Sequence, residues 1–242
     1  MFIAKKLMFI ILFIFGVCIG SFLNVLIWRL NDEKAPKFWQ GRSICPHCRH
    51  KLSWFDNLPL LSFIVLWGKC RYCHKRISWR YPLVELLTAI VTIIIGANVL
   101  SLVIAYCFIL IFFSDWIYGL IPDEATVVLV VVGLLFYWNN WLTGLLSLLT
   151  LLSLFIVTRG RGIGFGDVKL IFPLGLLLGF PKILIMFYVT SIIGGLYALG
   201  LLLLKRRRFG ETIALGPFLI IGTITALCVS DTLLLKLFWL LP

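Results

Sequence analysis

The chain has 242 residues, of which 62% are hydrophobic and only 13% charged. Soluble domains carry about 25% charged residues, so the composition excludes that class and leaves a multi-span membrane protein. A net charge of +12 would admit a nucleic-acid partner, but the basic residues are sorted by side of the membrane, as orientation requires, and no nucleic-acid partner is expected.

Runs rich in Leu, Ile, Val and Phe without strand alternation predict an all-α polytopic membrane protein of about eight transmembrane helices. Spans are expected near 7–28, 82–97, 99–115, 124–138, 141–157, 170–181, 183–204 and 213–229, with 232–241 continuing the last. The first run follows Lys5 and Lys6, lacks a small-residue cleavage site and continues to Trp28. It is read as a retained helix, not a removed signal. Eight spans place the segments 29–81, 116–123, 158–169 and 205–212 on one side, with 18 of the 22 basic residues. The positive-inside rule assigns that side to the cytoplasm and both termini to the other.

The connection between the first two spans, roughly Leu30 to Tyr81, is the only one large enough to form a small domain. It carries Cys45-Pro-His-Cys48 and Cys70-Arg-Tyr-Cys73 with 21 residues between the pairs. Two such knuckles let four thiolates converge on one Zn²⁺. Cytoplasmic thiols stay reduced, which favours metal over disulfides. His47, His50 and His74 are alternative ligands, read by default as surface residues of a ribbon. Four sulfurs leave no open position for water, so the metal is expected to be structural. Cys18, Cys107 and Cys228 lie in apolar runs and are expected to be packing residues.

Among the ten acidic residues, Glu85, Asp115, Asp123, Glu124 and Asp167 fall at membrane boundaries, where ionisable groups are costly and point to function. Asp115 ends the third span and Asp167 precedes the sixth, so the topology brings both to one face. Two close carboxylates can divide the roles of general base and general acid, as in aspartic proteases. Gly164 and Gly166 precede Asp167 and are expected to loosen the backbone and to let a substrate strand approach. Asp123 and Glu124 follow Pro122 and read as first-turn acids of a helix, with Asp123 a second candidate for Asp115's role. Glu85 reads as a dipole-complementing acid near a helix start.

These residues carry a resemblance. "GSFLNVLIWRL" at Gly20–Leu30, the two CxxC pairs, "ISWRYPLVELLTA" at Ile77–Ala89, "DWIYGLIPD" at Asp115–Asp123 and "GFGDVKL" at Gly164–Leu170 stand in the order and spacing of the bacterial type IV prepilin peptidases. The chain resembles these GxGD membrane aspartic proteases over nearly its whole length. Many members carry a further aspartate two residues after the first, where this chain has Ile117. The resemblance implies catalytic Asp115 and Asp167, supported by Gly164, Gly166 and Lys169. It implies cleavage of a basic leader from type IV prepilins or type II secretion pseudopilins at the cytoplasmic face of the bacterial inner membrane. It further implies N-methylation of the new N-terminus from S-adenosylmethionine, with Asn24, Gly68, Arg80 and Glu85 as candidates near the donor. The expected organisation is a first transmembrane helix (1–30), a zinc-ribbon-like loop (31–81) and a transmembrane peptidase domain (82–242). A GxGD protease with another substrate and no methyltransferase activity, or a non-enzymatic zinc-binding membrane protein, are the competing readings.

Overall fold

A computed structural model describes residues 2–32, 35, 36, 41, 43–160, 162–204 and 214–229. The expectations for 205–212 and 232–241 lie outside these residues. The described chain is helical except for two isolated antiparallel bridges. The helices are α1 (Phe2–Arg29), α2 (Leu61–Val65), α3 (Arg80–Ile95), α4 (Val99–Tyr118), α5 (Asp123–Phe136), α6 (Trp141–Val157), α7 (Phe165–Leu178), α8 (Lys182–Leu203) and α9 (Gly216–Cys228).

Each of the eight expected spans coincides with a helix. Four stretches, Lys5–Arg29, Val99–Tyr118, Trp138–Val157 and Lys182–Leu203, are long and apolar enough to cross a membrane. Helices α3, α5, α7 and α9 have 16, 14, 14 and 13 residues. At 1.5 Å per residue these reach only about 20–24 Å, short of a ~30 Å hydrocarbon core. Length and composition therefore establish four spans.

The chain forms two compact units, Met1–Leu110 and Ile111–Pro242, with the boundary inside α4. In the first unit, α1 packs antiparallel on α3 through Gly16-Val-Cys-Ile-Gly20. A Cβ on Gly16 would lie 2.6 Å from Ala89 Cα, and one on Gly20 would lie 2.6 Å from Glu85 Cα. Small residues four apart let helix backbones meet this closely, which is how helices associate where no hydrophobic force separates them from lipid. Asn24 continues the seam by donating to the Tyr81 carbonyl at 3.0 Å.

Between α1 and α3 the chain makes the same knuckle twice. Cys45 N–H donates to His50 O at 3.0 Å and Arg49 N–H to Cys45 O at 2.8 Å; the equivalents are Cys70 to Lys75 and His74 to Cys70, both at 2.9 Å. The bridges Ile44–Lys51 and Lys69–Arg76 close the two loops. Arg49 and His74 both take φ of 56°, the left-handed conformation that reverses the chain after the second cysteine. Asp56 ties the copies together. It accepts from Arg71 Nε at 2.8 Å, Ser53 N–H at 3.1 Å and Tyr72 Oη at 3.2 Å.

The second unit is built around α7, whose side chains from Val168 to Leu178 are buried with the exceptions of Lys169 and Phe172. A helix that is apolar all round belongs inside a bundle. Helices α5, α6, α8 and α9 pack against it. A Cβ on Gly175 would come within 2.8 Å of Gly144 Cα on α6, so that crossing requires both glycines. Asn140 Nδ2 donates to Leu176 O at 2.9 Å and covers the end of α7.

Candidate active site and cysteine cluster

Asp115 lies in the last turn of α4 and is buried, with 5% of its surface exposed; Asp167 lies in the first turn of α7 with 6% exposed. Both belong to the second unit, and Asp115 is close enough for its charge to act on Asp167. Each carboxylate has one oxygen held at the start of a helix. Asp115 Oδ2 accepts from Gly216 N–H, the first residue of α9, at 2.8 Å. Asp167 Oδ2 accepts from Gly164 N–H, the residue capping α7, at 3.2 Å. Free amides at helix N-termini attract negative charge. The other oxygen of Asp167, Oδ1, is buried without a hydrogen-bond partner among the described residues. A buried acceptor in that state costs about 1–3 kcal/mol, and it is the atom free to meet a water or a substrate.

The glycines of GxGD act through space, not through conformational freedom. Gly164 has φ −73° and ψ 148°, extended backbone open to any residue. A Cβ there would lie 3.1 Å from Asp167 Oδ2, and one on Gly166 would lie 3.3 Å from Ile121 Cβ. The expectation of loosened backbone at Gly164 is therefore corrected to close approach. Lys169 Nζ bonds both oxygens of Asp123, at 2.9 and 3.2 Å. Asp123 and Glu124 occupy the first turn of α5, as expected, and Asp123 is the partner of Lys169 there.

Gly216 is the residue that sequence reasoning missed. Its signal was "LGPFL" at Leu215–Leu219, a glycine before a proline at a helix start. A Cβ on Gly216 would stand 2.7 Å from Asp115 Oδ2.

In the first unit, the sulfurs of Cys45, Cys48, Cys70 and Cys73 all lie within 4.8 Å of one another, with Cys45 and Cys73 at 4.0 Å. A tetrahedral site with sulfur 2.3 Å from zinc has edges of about 3.8 Å, so four sulfurs on two knuckles fit one such ion with little movement. All four are free thiols. Burial pushes the Cys45 thiol up to about 12, against amides of Cys48 and His47 that point at its sulfur. A cation among the sulfurs supplies the charge that ionises them. No histidine joins the cluster among the described residues; His50 stacks on Tyr72 at 3.7 Å. Of the remaining cysteines, Cys107 is buried as expected, whereas Cys18 and Cys228 are exposed on helix surfaces.

The donor-site candidates also lie in the first unit. Asn24 and Arg80 both meet Tyr81, Arg80 with its guanidinium 4.9 Å from the ring centre. Glu85 lies in the second turn of α3, too far in to act as a first-turn acid, and its Oε2 accepts from Leu60 N–H at 2.8 Å. Gly68 has φ of 65°, and a Cβ there would lie 3.1 Å from the Phe63 ring.

A buried carboxylate pair at helix ends, in a helical chain with spans long enough to cross a membrane, and a four-cysteine ribbon between two packed helices mark a membrane protein of a recognisable class. Residues 14–99 match the bacterial peptidase A24 N-terminal domain and residues 102–199 match the type IV leader peptidase family. A protein named prepilin leader peptidase/N-methyltransferase from Aeromonas hydrophila is 34% identical over 94% of this chain and 92% of its own. Proteins of the same name from Dichelobacter nodosus (33%, covering 86% and 87%) and Neisseria gonorrhoeae (30%, covering 86% of each) are also similar. The chain belongs to the type IV leader peptidase family. No solved structure matches it.

Proposed function

We propose that this chain removes the short basic leader of type IV prepilins or type II secretion pseudopilins, with Asp115 and Asp167 as the catalytic pair. The observation that carries the reading is the pair itself: two buried carboxylates within reach of each other's charge, one with a buried oxygen left unbonded. The pair shares one proton: the ionised carboxylate takes a proton from a water, and the resulting hydroxide adds to the scissile carbonyl. The other, which enters protonated, gives its proton to the amide nitrogen as the carbon–nitrogen bond breaks. Gly216 and Gly164 hold the second oxygen of each acid, so both enter the reaction already oriented. Lys169 is a supporting residue that joins α7 to α5 beside the site.

The eight helices are proposed to lie in the inner membrane with the cysteine ribbon in the cytoplasm, where a prepilin's leader would project. The proposed organisation keeps the first helix (1–30), the ribbon (31–81) and the peptidase region (82–242). The four cysteines would hold a structural Zn²⁺, which fixes the ribbon and takes no part in cleavage. N-methylation of the new N-terminus from S-adenosylmethionine is proposed from the relatives' name. Asn24, Gly68, Arg80 and Glu85 were its candidates, but Asn24 and Glu85 spend polar atoms on Tyr81 and Leu60. Those bonds hold Asn24 and Glu85 within the packing of the first unit, which leaves Gly68 and Arg80, in and beside the ribbon, as the remaining candidates.

The test is incubation of the purified protein with a prepilin, with and without methyl donor, followed by mass spectrometry. Loss of the leader in both arms is expected, with one added methyl only in the second. An intact prepilin in both arms would overturn the reading.

A further inference from the structure

The ribbon contains a segment that belongs to neither the metal cluster nor the helix seam. Leu58–Trp67 reads "LPLLSFIVLW", ten residues with no charge, flanked by Asp56 and Lys69. Ten residues, nine of them apolar, cannot span a bilayer, and a run of this length is a core helix or an interfacial segment. It is not core. Leu61, Ile64 and Val65 of α2 are 60%, 67% and 69% exposed, and Trp67 is 89% exposed.

Its depth is set by two contacts. Glu85 packs against Gly20 of α1, nine residues before Arg29, or about 13 Å along that helix. The Lys5–Arg29 span is about 37 Å long against a ~30 Å hydrocarbon core, which leaves Gly20 and Glu85 roughly 10 Å inside the boundary. Leu60 N–H reaches the Glu85 carboxylate at 2.8 Å. The start of α2 is therefore held below the level where α1 ends and α3 begins.

The backbone is prepared for such surroundings. Beyond Leu60, the amides of Ser62, Ile64, Leu66, Trp67 and Gly68 donate to carbonyls of the same segment, at 2.8 to 3.1 Å. Apolar solvent demands that satisfaction, and water does not. Leu83, Leu86 and Leu87 on the early turns of α3 are exposed as well.

We propose that Leu58–Trp67 is a membrane-inserted wedge, with Leu61, Ile64, Val65 and Trp67 immersed in the acyl chains of the leaflet at which α1 ends and α3 begins. The ribbon is thereby fixed at the bilayer surface and does not swing free on its two connections. The occupant is lipid because the tether and the Glu85 bond fix a depth that a partner protein does not need.

The test places a photoreactive benzoylphenylalanine at Ile64 of the full-length protein, in vesicles of phosphatidylethanolamine and phosphatidylglycerol, with the same residue at exposed Lys51 as comparison. Zinc-to-protein ratio equal to wild type certifies the fold of each variant. Several-fold more lipid adduct at Ile64 than at Lys51 is expected. Absence of lipid adduct at Ile64, labelling equal to that at Lys51, or adducts dominated by a second copy of the chain would each overturn the proposal.

Discussion

Gly216 and Gly164 show how single residues prepare the candidate site. Neither has a side chain, and each offers an amide to one carboxylate oxygen. A methyl group on Gly216 would need the space that Asp115 Oδ2 occupies, and overpacking of this kind costs about 1–3 kcal/mol. Gly216→Ala is expected to slow leader removal roughly 10- to 100-fold while the protein still inserts and binds its metal; unchanged single-turnover cleavage would contradict that placement. Asp115 and Asp167 were legible in the sequence because charges stand out in apolar runs. Gly216 was not, since its bond to Asp115 joins positions 101 residues apart and no local pattern encodes that.

At the scale of elements, the ribbon depends on two things that separate by pH. Burial opposes ionisation of Asp56, but Arg71, the Ser53 amide and Tyr72 together hold its carboxyl below the usual range. A depressed folded value means the contribution is present above about pH 4, the unfolded value, and is lost as pH falls through the folded one. Asp56→Asn should therefore lower the ribbon's resistance to proteolysis at pH 7, by about 1 kcal/mol or less because Arg71 is partly exposed. The difference from wild type should shrink below pH 4; a gap that widens in acid would contradict the assignment. Zinc content is the second. One ion per chain is expected by elemental analysis, and Cys45→Ser with Cys48→Ser should lose it and expose the ribbon to protease, because a structural zinc supplies folding energy outright. Retention of one zinc by that variant would move the site elsewhere. Gly68→Val forces a β-branched residue to φ of 65° beside Phe63, and is expected to reduce methylation more than cleavage when both are followed on one prepilin. Equal loss of both would mean that the ribbon shapes the protease site instead. The cysteine spacing announced this element from sequence, whereas the Leu60–Glu85 bond and the Gly16–Gly20 seam were missed because they show only once α1 and α3 are packed.

For the whole molecule, hydropathy located the eight long helices of the described residues to within about five residues, because the bilayer enforces apolar runs. The widest misplacements are of five residues, at the start of α1, expected at 7 and found at Phe2, and at the start of α7, expected at 170 and found at Phe165. Asp167 and Lys169 lie in its first turns, and a search for apolar runs skips charged turns even when the backbone is already helical. That displaced turn is where the chemistry is expected. Half of the helices are too short for an unaided span, and α7 tolerates this because protein surrounds it. The most direct measurement of the account is single-turnover leader removal from a prepilin by the Asp167→Asn variant, with membrane insertion and zinc content checked against wild type. Loss of one carboxyl of the acid–base pair predicts a fall of about 10²- to 10⁴-fold at unchanged insertion and metal. Cleavage within a few-fold of wild type would remove Asp167 from the mechanism and the carboxylate pair with it.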